Sequence, residues 1–324
     1  MGKYAYLLVL ILIAPAVWAQ DIVSARSGLV HHVEGDATLG GKPVEFSNSR
    51  FPIAGVDQVL AVEKGFVEVL LTPGAFLRLD AGSSFRLLSN QLDDTKLEIL
   101  SGTALVELDE LLKGNRITVQ VGAVQTALVK NGLYYFDAEA GRLKVFEGKA
   151  QAAGDGLPLD VTKGRTVLFE PVMKAEKFKT KNAKDELFFW SQERATRLAL
   201  ANISASRSIR TSSIRSSYWA WDPWLGMFTF MPRSGNLGSP FGIYWYNPAT
   251  VWVVFQPRNA GIDMSASAGG SGNSWGGLQS GRSAAAPSAS ADSGMVRSTP
   301  AVSAPVSAPA AAAAPAAAPA SRGR

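Results

Sequence analysis

Between Val56 and Gly148 apolar and polar residues alternate in short runs, and glycines separate the runs. Phe66-Val67-Glu68-Val69-Leu70-Leu71, the turn Thr72-Pro73-Gly74, and Ala75-Phe76-Leu77-Arg78-Leu79-Asp80 read as strand, turn and strand. Leu77 and Leu79 fall out of phase with the charge-bearing Arg78 and Asp80, which is the period of a pleat with one buried face. The unit recurs in Leu97-Glu98-Ile99-Leu100 and Thr103-Ala104-Leu105-Val106-Glu107-Leu108. It returns in Ile117-Thr118-Val119-Gln120-Val121, Leu133-Tyr134-Tyr135-Phe136 and Arg142-Leu143-Lys144-Val145-Phe146-Glu147-Gly148. Val, Ile, Tyr and Phe suit a half-buried pleated surface, and glycine supplies the positive φ of tight turns. The pattern predicts an all-β domain over residues 21–173, built of stacked β-hairpins in a twisted roll, sandwich or solenoid-like arrangement.

The alternation stops after Pro171. Residues 174–217 form a basic connector in which a helix is expected over residues 182–201, capped by Asn182. Leu187, Trp190, Ser191, Arg194, Leu198 and Ala201 recur every three or four residues, so one stripe can dock Trp190 on the β core or meet a partner. Residues 258–324 are rich in Gly, Ser, Ala and Pro and read as a disordered tail. At the other end, residues 1–20 read as a signal peptide. They have Lys3 as the charge, an apolar run from Leu7 and small residues before Gln20, and the run is short for a membrane span.

Residues 218–257 hold twelve aromatic residues, including five of the chain's eight tryptophans. Left open to water, so much aromatic surface would aggregate, so the segment must pack on the domain, bind a ligand or partner, or meet a membrane. Trp219, Trp221, Trp224, Tyr244, Trp245 and Tyr246 are the candidate binding residues. Asp222-Pro223 turns the chain between the first three rings. Trp224 is therefore expected in a core beside Leu225 and Met227, with Trp219 or Trp221 more exposed. Thr250 to Phe255 reads as a further edge strand.

Composition narrows the chemistry. The 324-residue chain has no cysteine, which excludes disulfides, thiolate zinc sites and thiol nucleophiles. Its two histidines, His31 and His32, are adjacent; on a strand they point to opposite faces and do not easily converge on one metal. Asp93-Asp94 and Asp109-Glu110 read as turn and edge carboxylates. No nucleophile elbow, phosphate loop or metal-binding helix motif is present, so no catalytic, cofactor-binding or metal-binding residue is assigned, and no enzyme or cofactor is expected. The net charge of +5 hides a split: residues 21–173 carry 15 basic and 20 acidic side chains, whereas residues 174–215 carry 10 basic and 4 acidic. Nucleic acid is not an expected partner of an exported chain.

Gly65 to Leu71, followed by Pro73 to Leu79, is similar to the central signature of the FecR-like periplasmic domain. Leu100-Ser101-Gly102-Thr103-Ala104, Val119-Gln120-Val121, Ala127-Leu128-Val129, Phe136 and Val145-Phe146-Glu147-Gly148 follow in that family's order, so the resemblance spans about residues 27–172. The resemblance implies an all-β extracytoplasmic module without enzymatic activity. The best-known members regulate extracytoplasmic sigma factors and carry a cytoplasmic sigma-binding region and a membrane helix before the β domain. Here a signal peptide stands in that place, so direct sigma-factor binding is not expected. The expectation is a periplasmic or secreted, non-catalytic interaction or sensory module of the cell envelope, with an envelope protein or polysaccharide as partner. The alternative is a carbohydrate- or peptidoglycan-binding envelope protein that uses the aromatic segment. Membrane contact is compatible with either and required by neither.

Overall fold

The alternating runs become strands of one large sheet. A computed structural model describes residues 27–46, 51–154, 157–170, 172–209, 215–233 and 235–255. The proposed signal peptide and low-complexity tail lie outside the described residues. In chain order the strands are β1 (Leu29–Leu39), β2 (Lys42–Pro43), β3 (Val59–Leu70), β4 (Ala75–Leu79), β5 (Ser84–Asn90), β6 (Asp94–Ser101), β7 (Thr103–Leu108) and β8 (Arg116–Val121). They continue as β9 (Val124–Leu128), β10 (Gly132–Asp137), β11 (Arg142–Glu147), β12 (Lys149–Ala153), β13 (Leu159–Thr162), β14 (Arg165–Leu168) and β15 (Lys174–Lys177). The domain is all-β, as its periodicity predicts.

The sheet order is β13-β12-β9-β8-β6-β5-β3-β4-β7-β10-β11-β14-β15, with β1 along the other side of β3. The long strand β3 organises this order. Its C-terminal half pairs with β4 (Val69 opposite Leu77) and its N-terminal half with β5 (Leu60 opposite Phe85). The sheet is thereby folded into two layers that share one core. Leu77, Val106, Phe136 and Val145 come from the layer of β4, β7, β10 and β11. Phe85, Leu97, Val119 and Ala150 come from the layer of β5, β6, β8 and β12. Strands that switch layers need sharp corners, and glycine makes them. Gly102, between β6 and β7, has φ +68°, and a Cβ there would lie 2.4 Å from Ser83 Oγ. Gly65 faces Gly35 across the bend of β3 and β1, where a Cβ would come within 2.0 Å of the Glu34 carbonyl oxygen.

The β4 layer is buried on both sides. Its outer face carries Glu68, Leu70, Phe76, Arg78, Leu105, Glu107, Leu133 and Tyr135, all buried. The cover is the C-terminal part of the chain: α1 (Glu186–Ser208), the hairpin β16 (Tyr218–Asp222) and β17 (Met227–Met231), the hairpin β18 (Asn236–Gly238) and β19 (Tyr244–Tyr246), and α2 (Pro248–Val254). An alternating strand reports only that its two faces differ; it does not say that the polar face meets water.

Two boundaries differ from the sequence expectation. The helix begins four residues later and ends seven residues later than expected, because Asp185, not Asn182, is its cap and accepts the Phe188 N–H at 3.0 Å. Asn182 instead lies in a single 3-10 turn, Thr180–Ala183. At the other end Ala205 and Ser206 remain buried against β17, so packing extends the helix. The second correction concerns Thr250 to Phe255, which form the last turns of α2 and its C-cap and not an edge strand. Asn247 caps the Thr250 N–H and Pro248 stands at the first helical position, and those end signals outweigh the strand preference of a short Val-rich run.

Candidate functional site

The outer face under the cover holds a network of ionisable side chains. Glu68 on β3 and Arg78 on β4 are direct cross-strand partners, and Glu107 on β7 lies diagonally beyond Arg78. Arg78 donates from Nε to Glu68 at 2.9 Å and from Nη1 to Glu107 at 2.6 Å. Glu68 also accepts from Arg194 Nη2 of α1, at 2.8 Å. Ser239, after β18, donates to the other oxygen of Glu107. Two guanidinium groups thus balance two carboxylates drawn from three strands and one helix.

His31 completes the set through a bulge. The β1–β3 register shifts between Val30 and His32, which re-aims the extra residue. His31 Nδ1 lies 2.9 Å from Glu68, and its Nε2 accepts the Phe228 backbone N–H at 2.9 Å. An accepting Nε2 fixes the neutral tautomer with its proton on Nδ1. The bulge also overturns the expectation that the two histidines face opposite ways. His32 stacks on Trp190 of α1, so both rings lie on the covered side. Trp190 docks as expected, stacked on Phe66 at 4.8 Å and donating to Glu34 at 2.7 Å.

The electrostatics follow from burial and neighbours. Burial acts to raise the Glu68 carboxyl, but Arg194, Arg78 and the His31 hydrogen bond more than offset it and hold Glu68 well below the usual range. Burial lowers the His31 imidazole despite Glu68, and burial with Arg194 lowers His32 to about 4. Asp109 moves the other way. Expected at a strand edge, it is fully buried, and burial together with the Glu107 charge pushes it well above the ordinary carboxyl value. Ser239 and Trp245 are close to it, but its oxygens complete no hydrogen bond of normal geometry among the described residues. Asp93-Asp94, by contrast, lie at the β5–β6 turn, where Asp94 meets Lys96 and Arg116.

The six aromatic candidates separate by depth. Trp245 is fully buried, stacked on Phe76 with centroids 5.9 Å apart and edge-on to Phe230 at 5.6 Å. Trp219 is buried against the same pair, at 5.1 and 6.0 Å. Trp221 is half-buried between Phe51 and Phe228. Tyr246 is half-buried against Phe255, while Tyr244 is 52% exposed. Trp224 is 84% exposed at the tip of the β16–β17 hairpin, and Leu225 beside it is 50% exposed. That reverses the expected order of burial. Trp219 and Trp221 share one face of β16, whereas residues 223–226 form the turn and have no strand opposite.

Nothing in the aromatic pattern pointed to the groups that lock this cover down. Asn202 of α1 donates to the carbonyls of Phe230 and Tyr246 at 2.9 Å each, and accepts the Tyr246 N–H at 2.8 Å. One side chain therefore ties α1 to β17 and β19. The available signal was an asparagine inside the stripe of Leu198, Ala201 and Ala205, beside an arginine on the same stripe. Glu68, Arg78 and Glu107 carried a similar signal, as single charges set between strongly apolar neighbours in adjacent predicted strands.

No family model matches the chain, and no curated protein matches it. Two solved structures, each of a candidate anti-sigma factor from Parabacteroides distasonis, are similar at 16% and 15% identity with TM-scores of 0.34 and 0.35. The matches cover 38% and 41% of this chain and 61% and 64% of theirs, so the chain spans somewhat under two thirds of the proteins it matches.

Proposed function

We propose that the protein is a non-catalytic interaction module of the cell envelope, exported to the periplasm or beyond and resembling the FecR-like domain. The observation that carries this reading is the sealing of the charge network. Glu68, Arg78 and Glu107 are 0% exposed and paired with one another, and His31 and Arg194 are nearly as deep. A general acid or base must reach a proton on its substrate, and these groups bond to each other and to buried groups of the cover. They serve to fasten the C-terminal cover onto the β domain.

Partner contact then falls to the surface. Trp224, Tyr244, Trp252 and Val253 expose 84%, 52%, 48% and 80% of their area, and exposed aromatic side chains of this kind favour protein or sugar partners. An envelope protein is the partner class favoured here, and a direct sigma-factor contact forms no part of the reading. The test is photo-cross-linking in intact envelopes from positions 224, 244 and 253, read by mass spectrometry. Recurrent capture of one envelope protein supports the module; a purely cytoplasmic location for the chain overturns it. The exposure of Trp224 also favours a second reading, a carbohydrate platform. Retention on purified cell wall that disappears in Trp224→Ala would favour that reading.

A further inference from the structure

The outer face of the β4 layer is covered as far as Phe146, where Phe188 of α1 meets it at 5.1 Å. Beyond that point β11, β14 and β15 leave a groove of about 470 Å³, bounded also by residues 178–183, whose Phe178 packs edge-on against Phe146 at 5.3 Å. Register sets its lining in rows: Arg142 opposite Leu168 opposite Lys174, then Lys144 opposite Thr166 opposite Glu176. Leu168 is 45% exposed and gives the groove an apolar floor, and the cations Arg142, Lys144, Lys174 and Lys179 outnumber the lining carboxylates Glu170 and Glu176. Arg142, Lys144 and Lys179 have no carboxylate partner among the described residues. Lys144 is held in place over the Tyr135 ring, with its Nζ 4.8 Å from the centroid. Lys174 reaches Glu176 only at 3.9 Å in solvent, which is a weak pair. Finally, β15 ends the sheet order, with β13, the strand at the other end, running close beside it.

We propose that this groove docks an extended, acidic polypeptide segment of a partner protein. Carboxylates of the segment meet Arg142, Lys144 and Lys179, and an aliphatic side chain rests on Leu168. Charge complementarity selects the acidic partner. The apolar floor selects a polypeptide over an anionic polysaccharide, which has no aliphatic side chains to rest on it. The proposal rests on the reading of the protein as an interaction module and names one of its surfaces.

The test is fluorescence anisotropy of the purified full chain with a labelled short peptide of alternating Glu and Leu. Lys144→Glu with Lys179→Glu reverses two rim charges, one half-buried and one exposed, Leu168→Ser removes the floor, and Lys42→Glu on β2 is the control. Saturable binding is expected. It should weaken roughly tenfold or more in the double charge reversal, weaken in Leu168→Ser, stay unchanged in Lys42→Glu, and decline as salt screens the rim. Thermal melts confirm that each variant is folded. Absence of saturable binding, equal binding by the double variant, or equal binding of a Lys-Leu peptide overturns the proposal. Displacement of the peptide by polygalacturonate at matched carboxylate concentration shows an anionic-polymer site and overturns it as well. If envelope cross-links from position 224 persist while the groove binds no peptide, the groove assignment fails and the interaction module stands.

Discussion

The β4 layer buries two faces of contrasting chemistry. Its inner face, with Leu77, Val106 and Phe136, is aliphatic and aromatic and packs against the β5 layer. Its outer face is as dry, yet it carries Glu68, Arg78 and Glu107 among Leu70, Phe76 and Leu105. An apolar interior tolerates many arrangements of similar volume, but buried charges tolerate only the arrangement that pairs them. The inner face thus supplies stability with loose orientation, and the outer face specifies where α1 and the hairpins must sit. Arg194, Ser239 and the Phe228 N–H are supplied by the cover and nowhere else.

The largest test of this contrast is Glu68→Ala. It leaves Arg78, Arg194 and His31 without their shared acceptor, and breaking a buried pair by removing one partner costs about 3–5 kcal/mol. Leu77→Ala on the inner face should cost about 2–5 kcal/mol. Denaturant unfolding of both measures the contrast. A loss below about 1 kcal/mol for Glu68→Ala would show that the network contributes little to holding the cover.

Next come the tryptophans. Trp245→Ala removes a fully buried ring and should cost about 3–5 kcal/mol, whereas Trp224→Ala at the hairpin tip should stay within about 0.5 kcal/mol. Equal melting temperatures for the two variants would contradict the assigned depths.

Acid should loosen the cover. The native imidazoles of His31 and His32 titrate below their ordinary value of 6.5, so an unfolded chain takes up protons first as pH falls. Their contribution is complete above pH 6.5 and declines below it, for His32 down to about pH 4. Protonation also removes the acceptor that His31 offers to Phe228. Asp109 has the opposite sign. Its raised carboxyl favours the native state in acid, and that contribution is lost as pH rises above its ordinary 3.8 toward the native value. The acid limb of stability against pH should therefore be shallower in His31→Gln and steeper in Asp109→Asn. Unfolding midpoints measured from pH 4 to 8 check both slopes, and parallel curves for all three proteins would refute the assignment.

A smaller effect than at Glu68 or Trp245 is expected at the start of α1. Asp185→Ala removes the side chain that caps Phe188 and accepts the Tyr135 hydroxyl at 2.6 Å, and a lost cap costs about 1 kcal/mol. Asn182→Ala should leave the unfolding midpoint nearly unchanged, because the helix does not begin there. A larger loss at Asn182 would restore the cap read from sequence.

Periodicity along the chain by itself determined that the domain is built of strands. It set which residues share a face, because Leu77 and Leu79 cannot change sides without Arg78 doing the same. The glycine breaks between runs also marked a corner such as Gly102, where a Cβ would clash with Ser83. The helix and its docked Trp190 were legible from spacing, and so was the need to shelter or occupy the aromatic segment. The fate of the polar face was decided by tertiary structure alone. Whether Arg78 meets water or Glu107 depends on what arrives from more than a hundred residues away, as does the bulge that turns His31 toward Phe228. The depth of each tryptophan follows the same logic. Spacing within β16 places Trp219 and Trp221 on one side, but only the sheet beneath them makes that side the inside.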